Sequence, residues 1–386
     1  MLSPAARTLL IDPFYVMEIA KEAAALQASG RKIIHLSIGE PDFTAPDRVR
    51  HAAAAAIEAG VTQYTPAAGL LELRERIAAW YGSQYDLEVD PQAVMLTAGA
   101  SAALLLACAA LVNDGDEVLM PDPSYPCNRH FVSAFGGKAR MLACGPEDRF
   151  QPSAAAIEAA WGPSTRGVLI ASPANPTGTS IPLATLAPLV ASVEARGGFV
   201  VSDEIYQALS YEGIATTARK LSENAIVINS FSKYFNMTGW RLGWMLVPPS
   251  LRPAVEKLAQ NFYICPSAIA QRAAIACFDP ESIAVYEERR TEFRRRRDFL
   301  VPALRAIGFG VPAMPDGAFY VYADISAFSD DSEAFVRDLL HATGVCLVPG
   351  KDFGSAAPRR YVRISYATAY EQLQIAVERL STYLVR

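Results

Sequence analysis

The stretch SFSKYFNMTGWRLGW, Ser230 to Trp244, places Lys233 among Phe231, Tyr234, Phe235, Met237 and Trp240, with Arg241 eight residues on. Lysines ordinarily keep their charge in water. An amine attacks a carbonyl only when unprotonated, and desolvation together with nearby cations lowers its pKa toward that state. The aromatic neighbours could supply the first effect and Arg241 the second. The same window also fits a lysine stem lying along core residues with its charge at the surface, and the window alone leaves both readings open.

Other chemistry-bearing residues stand just after β-rich text. Ala98-Gly99-Ala100-Ser101 opens an apolar helical run, so its N–H groups could hold an anion or be ordinary helix caps. Asp203-Glu204-Ile205-Tyr206 follows FVVS, where a carboxylate could cap a helix or hold a cationic ligand. Asn175-Pro176-Thr177-Gly178 follows GVLIASP and is most simply a turn.

The elements that must position these residues alternate. Runs at 94–99, 117–121, 167–173, 199–204 and 225–232 are separated by alanine- and leucine-rich helical text, which implies an α/β fold with a mostly parallel central sheet flanked by helices. In such sheets the ligand crevice lies beyond the carboxyl ends of the strands. From about residue 286 a long charged helix, then 317–325 and 360–367, predict a smaller α+β domain. The expected division is a large domain over 46–285 and a small one formed by 286–386 with the N-terminal segment 1–45. The basic cluster Arg294 to Arg297 sits among glutamates at helical spacing and is read as a solvated helix face.

Bulk properties bound the function. A chain of 386 residues with 51% hydrophobic and 19% charged residues can build a large core. The net charge of −5 and pI near 5.6 give nothing for nucleic acid. The six cysteines show no metal spacing and suit reduced thiols, and the longest apolar run, 102–112, is too short to cross a bilayer. A soluble, cytoplasmic protein is expected. No GxGxxG follows a strand, no GxSxG occurs, and the four histidines (35, 51, 130 and 341) show no ligand spacing, which disfavours dinucleotide, serine-hydrolase and metal chemistry.

The ordered motifs SIGEPDF (37–43), QYTPAAG (63–69), TAGAS (97–101), PDPSYP (121–126), ASPANPTG (171–178), SDEIY (202–206), the Lys233 window and YVRISYA (361–367) resemble the class I and II pyridoxal-phosphate aminotransferases of the aspartate-aminotransferase fold. The resemblance runs from about residue 7 to the C-terminus. It implies that Lys233 bonds to the aldehyde of pyridoxal 5′-phosphate and later shuttles a proton, and that Asp203 pairs with the ring nitrogen. Asn175 and Tyr206 would bond the ring oxygen, and Tyr125 would stack on the ring. Gly99, Ala100, Ser101, Ser230, Ser232 and Arg241 would hold the phosphate. Arg363, helped by Asn175 and the Gly39 backbone, would grip the substrate α-carboxylate. Tyr64 would reach the phosphate of a neighbouring subunit, implying a homodimer with shared sites.

The implied activity is ping-pong transamination between an L-amino acid and a 2-oxo acid. Two alternatives belong to the same scaffold: a β-eliminating C–S lyase, and a regulator carrying an aminotransferase-like domain, which would need a separate DNA-binding domain. On the substrate, bacterial aspartate-specific relatives often carry a lysine where this chain has Ser101, so a distal carboxylate loses one counter-charge here. Arg129 could substitute, although a surface helix arginine is the simpler reading. Phe14 and Tyr15, in a segment that often covers the pocket in this family, would suit neutral or aromatic side chains. The expected donor is alanine or an aromatic amino acid, and the acceptor 2-oxoglutarate or pyruvate.

Overall fold

A computed structural model describes residues 2–13, 15–213 and 216–385. The chain opens with helix α1 (Tyr15–Ala28) and a short strand β1 (Ile34–His35), followed by α2 (Asp47–Glu58) and α3 (Leu71–Tyr85). Strands and helices then alternate: β2 (Val94–Thr97), α4 (Gly99–Leu111), β3 (Glu117–Asp122), α5 (Pro126–Ala134), β4 (Lys138–Ala143), α6 (Ala154–Ala160), β5 (Thr165–Ala171), α7 (Leu183–Glu194) and β6 (Phe199–Asp203). β7 (Ile226–Ser230) and β8 (Gly243–Leu246) complete this part, and α8 (Arg252–Phe262) and α9 (Ala268–Ile275) follow. The long α10 (Pro280–Ile307) leads to β9 (Tyr320–Asp324), α11 (Ser332–Thr343), β10 (Val345–Cys346), β11 (Val348–Pro349), β12 (Tyr361–Ser365) and α12 (Tyr370–Leu384).

The central sheet has seven strands in the order β2-β8-β7-β6-β5-β3-β4. β3 through β7 pair in parallel, and β8 runs against both β2 and β7. Helices cover both faces, so strands such as β7 are buried along their whole length, which is why IVINS is apolar without alternation. The edge strand β4 is different: its KARMLA text exposes Lys138 and keeps Arg140 half-exposed, and charge on an edge discourages further pairing. Because β8 alone is reversed, Thr97, Asp122, Ala171, Asp203 and Ser230 all end at one edge of the sheet.

A second, antiparallel sheet has the order β11-β12-β9, and β1 pairs in parallel with β10 through Ile34 and Val345. The N-terminal segment is thereby tied to the C-terminal region. The long charged helix starts at Pro280, six residues before the change of text at 286.

The arginine cluster on α10 corrects the expectation of a solvated face. Arg294 and Arg295 are exposed, with side chains 55% and 52% accessible. Arg296 and Arg297 are buried. Phe293, Arg296, Arg297 and Leu300 share one inward helical face, spaced i, i+3, i+4 and i+7. Burial is tolerated because each charge has partners. Arg296 pairs with Asp42 at 2.8 Å and Glu292 at 2.9 Å, and its guanidinium lies 5.1 Å from the ring centre of Phe43. Arg297 pairs with Glu212 at 2.7 Å and donates to the Pro315 carbonyl at 2.9 Å.

Candidate active site

A cavity of about 400 Å³ opens at the carboxyl edge of the sheet. One end is built for an anion. Gly99 begins α4 at φ +80°, a conformation that strains any side chain, and a Cβ there would lie 2.7 Å from an Arg241 guanidinium nitrogen and push the arginine aside. β8 passes so close that a Cβ on Gly243 would lie 2.9 Å from the Ala100 nitrogen. Arg241 Nη1 donates to the Thr238 carbonyl at 3.0 Å and to Ser232 Oγ at 3.4 Å, while the Ser232 N–H donates to Ser230 Oγ at 3.0 Å. A helix N-terminus, two hydroxyls and a guanidinium thus converge.

Lys233 stands beside this cradle. Its Nζ donates to the Gly39 carbonyl at 2.6 Å and lies 5.6 Å and 5.9 Å from the ring centres of Tyr206 and Phe319. Burial, helped by the cations of Arg363 and then Arg241, brings its pKa down to about 8 against the opposing pulls of Glu40 and Asp203. Asp203 ends β6 nearly out of water, where burial pushes its pKa up to about 6 although Oδ1 accepts the Ile205 N–H at 3.2 Å.

Arg363, from β12, enters the cavity from the second sheet. Nη1 donates to Asn175 Oδ1 at 2.9 Å and Nη2 to the Ser37 carbonyl at 2.7 Å, while the buried Nε has no partner. The guanidinium is held between Tyr320 and Phe353, at 4.5 Å and 5.0 Å from the ring centres. Five fixed donors, only partly used, suit a planar carboxylate. α1 contributes Val16, Met17 and Ala20 to the cavity wall. Its first turn is fixed by the buried Asp352, whose two carboxylate oxygens accept the N–H groups of Tyr15 and Val16 at 2.9 Å each.

Residues 31–380 match the family model for aminotransferase class I and II. The chain is 45% identical to the valine–pyruvate aminotransferase of Mycobacterium tuberculosis over 376 residues, 97% of each chain. A crystal structure of an aminotransferase from Mycobacterium tuberculosis superposes with a TM-score of 0.96 at 44% identity, covering 100% of both chains. The aspartate aminotransferase of Thermus thermophilus, solved with maleate, gives 0.94 at 34% identity, covering 99% of this chain and 100% of that one. This chain is a class I and II aminotransferase. It moves amino groups between an amino acid and a 2-oxo acid in two half-reactions, and the α/β fold read from its strands is the fold of its relatives.

The aminotransferase brings nearly all the sequence-selected residues to this one cavity. Gly39, Ala100, Ser101, Tyr125, Asn175, Asp203, Tyr206, Ser230, Ser232, Lys233, Arg241 and Arg363 line it, and Gly99 sits against Arg241 behind Ala100. Tyr64 does not join them: its side chain points outward and the residue is 79% exposed. Its loop is nevertheless fixed by Gln271, which accepts from the Leu70 N–H at 2.8 Å and donates to Thr65 Oγ1 at 3.0 Å.

One expectation about the pocket roof changes. Tyr15 turns away from the cavity to face the Lys351 ammonium, 4.5 Å from its ring centre, because Asp352 fixes the start of α1 in that orientation. Phe14 lies outside the described residues. Arg129 keeps the helix-arginine reading, its guanidinium reaching the Asp352 carbonyl at 3.5 Å without lining the cavity.

Sequence reasoning passed over Ser37, Tyr320, Phe353 and Gly243. Ser37 and Gly243 lay inside quoted motifs, so their positions were available without their tasks. Tyr320 and Phe353 come from distant text with no polar signature, and only the fold brings them to Arg363. Among the described residues, no helix is long and apolar enough to cross a membrane.

Proposed function

We propose that this aminotransferase carries pyridoxal phosphate on Lys233 and transfers the amino group of neutral, apolar amino acids, valine among them, to pyruvate or 2-oxoglutarate. One observation carries the substrate reading. Among the described residues, the cations lining the cavity are Lys233, Arg241 and Arg363, and none is left for a distal carboxylate. Burying such a group unpaired costs several kcal/mol, whereas Val16, Met17, Ala20 and Ile38 offer apolar contact. The name of the Mycobacterium tuberculosis relative supports the same class.

The residues fit the cofactor. Glycine at 99 lets Arg241 close on the helix N-terminus, Asp203 is a buried carboxyl suited to a cationic ring nitrogen, and the Arg363 Nε–H is left free for a ligand. When bound, pyridoxal phosphate supplies an aldehyde that takes and returns an amino group and a ring that draws off the charge left as a proton departs the amino acid α-carbon.

This chain's own residues do the rest. Lys233 would hold the aldehyde carbon and carry the substrate α-proton on Nζ. Asp203 would keep a proton on the ring nitrogen, while Tyr206 and the Asn175 amide would donate to the ring oxygen. Tyr125 covers the ring face. The N–H groups of Gly99, Ala100 and Ser101, the hydroxyls of Ser230 and Ser232, and Arg241 hold the phosphate. Arg363 grips the α-carboxylate with Asn175 and the Gly39 backbone, so every donor and acceptor presents its α-carbon to the same lysine.

The assembly belongs to the same proposal. Tyr64, outward on a fixed loop, supports a homodimer in which it completes the partner's phosphate site, and six free thiols support a reducing, cytoplasmic setting. The pairing of β1 with β10 supports a small domain of 1–45 with 286–386 beside a large one of 46–285.

The Lys233→Ala variant tests the chemistry. It is expected to lose turnover and the visible absorbance of lysine-bound cofactor together; persistence of both would refute the assignment.

A further inference from the structure

Tyr320 touches three parts of the site at once. Its hydroxyl lies 2.8 Å from that of Tyr206, and its ring lies 4.5 Å from the Arg363 guanidinium carbon. A Cβ on Gly39 would come within 2.9 Å of the same hydroxyl, so the turn that receives the Lys233 ammonium is shaped around it. The strand register explains the arrangement. Tyr322 stands opposite Arg363 and Tyr320 opposite Ser365, so Tyr320 and Arg363 are diagonal neighbours on one face of the β9–β12 pair. Tyr320 is 1% exposed, and its hydroxyl is surrounded by the site rather than by water.

A phenol has one proton, so in a pair of hydroxyls one donates and the other accepts. If Tyr206 spent its proton on Tyr320, its lone pairs alone would face the ring oxygen of the cofactor. The stronger acid of the pair is the better donor. Both phenols are held high by burial. The Arg363 cation pulls both back down, but it lies over the Tyr320 ring and is the second influence there, whereas for Tyr206 it ranks behind the raising effect of the contact with Tyr320.

We propose that Tyr320 is a positioning residue for the reaction: its hydroxyl donates to Tyr206, which turns the single Tyr206 proton into the cavity, toward the ring oxygen of the cofactor. This rests on the cofactor reading above. It links the α-carboxylate anchor to the group that tunes the cofactor, because Arg363 acts on Tyr320 and Tyr320 acts on Tyr206. The charged and titratable groups facing this pair are Lys233, Asp203, Arg363 and Tyr125.

The test is a pH titration of the visible band in holoenzyme, comparing wild type with Tyr320→Phe, Tyr206→Phe and the double variant. A donor to the ring oxygen stabilises its negative charge and lowers the pH at which the lysine-bound cofactor loses its proton. Tyr320→Phe leaves Tyr206 its proton but removes the bond that polarises it as a donor, so it should raise that midpoint measurably and by less than Tyr206→Phe does. Tyr320→Phe keeps the ring beneath Arg363, so affinity for an unreactive α-carboxylate analogue should change by less than about twofold, the scale of a few tenths of a kcal/mol. Because Tyr320 acts through Tyr206, the double variant should titrate with Tyr206→Phe alone. A midpoint in Tyr320→Phe equal to wild type, or a double variant in which the two shifts add in full, would overturn the inference while leaving the cofactor assignment intact. Wild-type protein with no titrating visible band would overturn the assignment itself.

Discussion

At the scale of single residues, Lys233 shows how burial and charge act together. Burial is the largest influence on its pKa, and the stronger of the two guanidinium contributions comes from Arg363 rather than Arg241. Arg241 was visible in the sequence because it is near in the chain; Arg363 is 130 residues away and reaches Lys233 only through the fold. The nucleophile is the neutral amine, so a depressed pKa moves its appearance to lower pH. The rate at which apo-enzyme takes up pyridoxal phosphate is expected to rise with pH and level off above about 8. A midpoint near the ordinary lysine value of about 10.4 would contradict a buried amine. Lys233 and Asp203 stood out because charged side chains after apolar strands demand an explanation, whereas Asn175 and Arg363 took their roles only from the family resemblance. Tyr320 and Phe353 were not, because an aromatic residue in a strand looks like core until its neighbours are known.

At the scale of elements, strands announced themselves where they are buried on both faces and read as Val/Ile runs. β4 was passed over because an edge strand alternates charge with apolar residues, and β8 because GWML lies inside the lysine window. On α10 the helical spacing was right and the outward face was wrong: Phe293 and Leu300 mark the inward stripe, and Arg296 and Arg297 lie on it. α1 carries the sharpest consequence for specificity. Asp352 caps its first turn by accepting the Tyr15 and Val16 N–H groups, and loss of such a cap costs about 1 kcal/mol. Asp352→Ala should loosen the wall formed by Val16, Met17 and Ala20. The ratio of kcat/KM for L-valine over L-alanine should fall by roughly fivefold, the equivalent of that energy, with cofactor absorbance retained. An unchanged ratio would show that α1 is held in place by its apolar packing alone.

At the scale of the whole molecule, one reversed strand lets five strand ends share an edge, and the second sheet delivers Arg363 to it from the other side. The cavity therefore joins an anion cradle from the first sheet, a carboxylate clamp from the second and an apolar wall from the N-terminal helix. In the proposed homodimer the outward-facing Tyr64 would complete the partner's phosphate site. The claim that depends on all of these parts is that the enzyme selects neutral, apolar amino acids. It is tested by mixing holoenzyme with one amino acid at a time, without acceptor, and following the loss of the visible band. L-valine and L-alanine are expected to consume the band with specificity constants at least about tenfold above that of L-aspartate, since tenfold needs only about 1.4 kcal/mol of the several kcal/mol that burying an unmatched carboxylate costs. A specificity constant for L-aspartate far above those of L-valine and L-alanine would contradict the account.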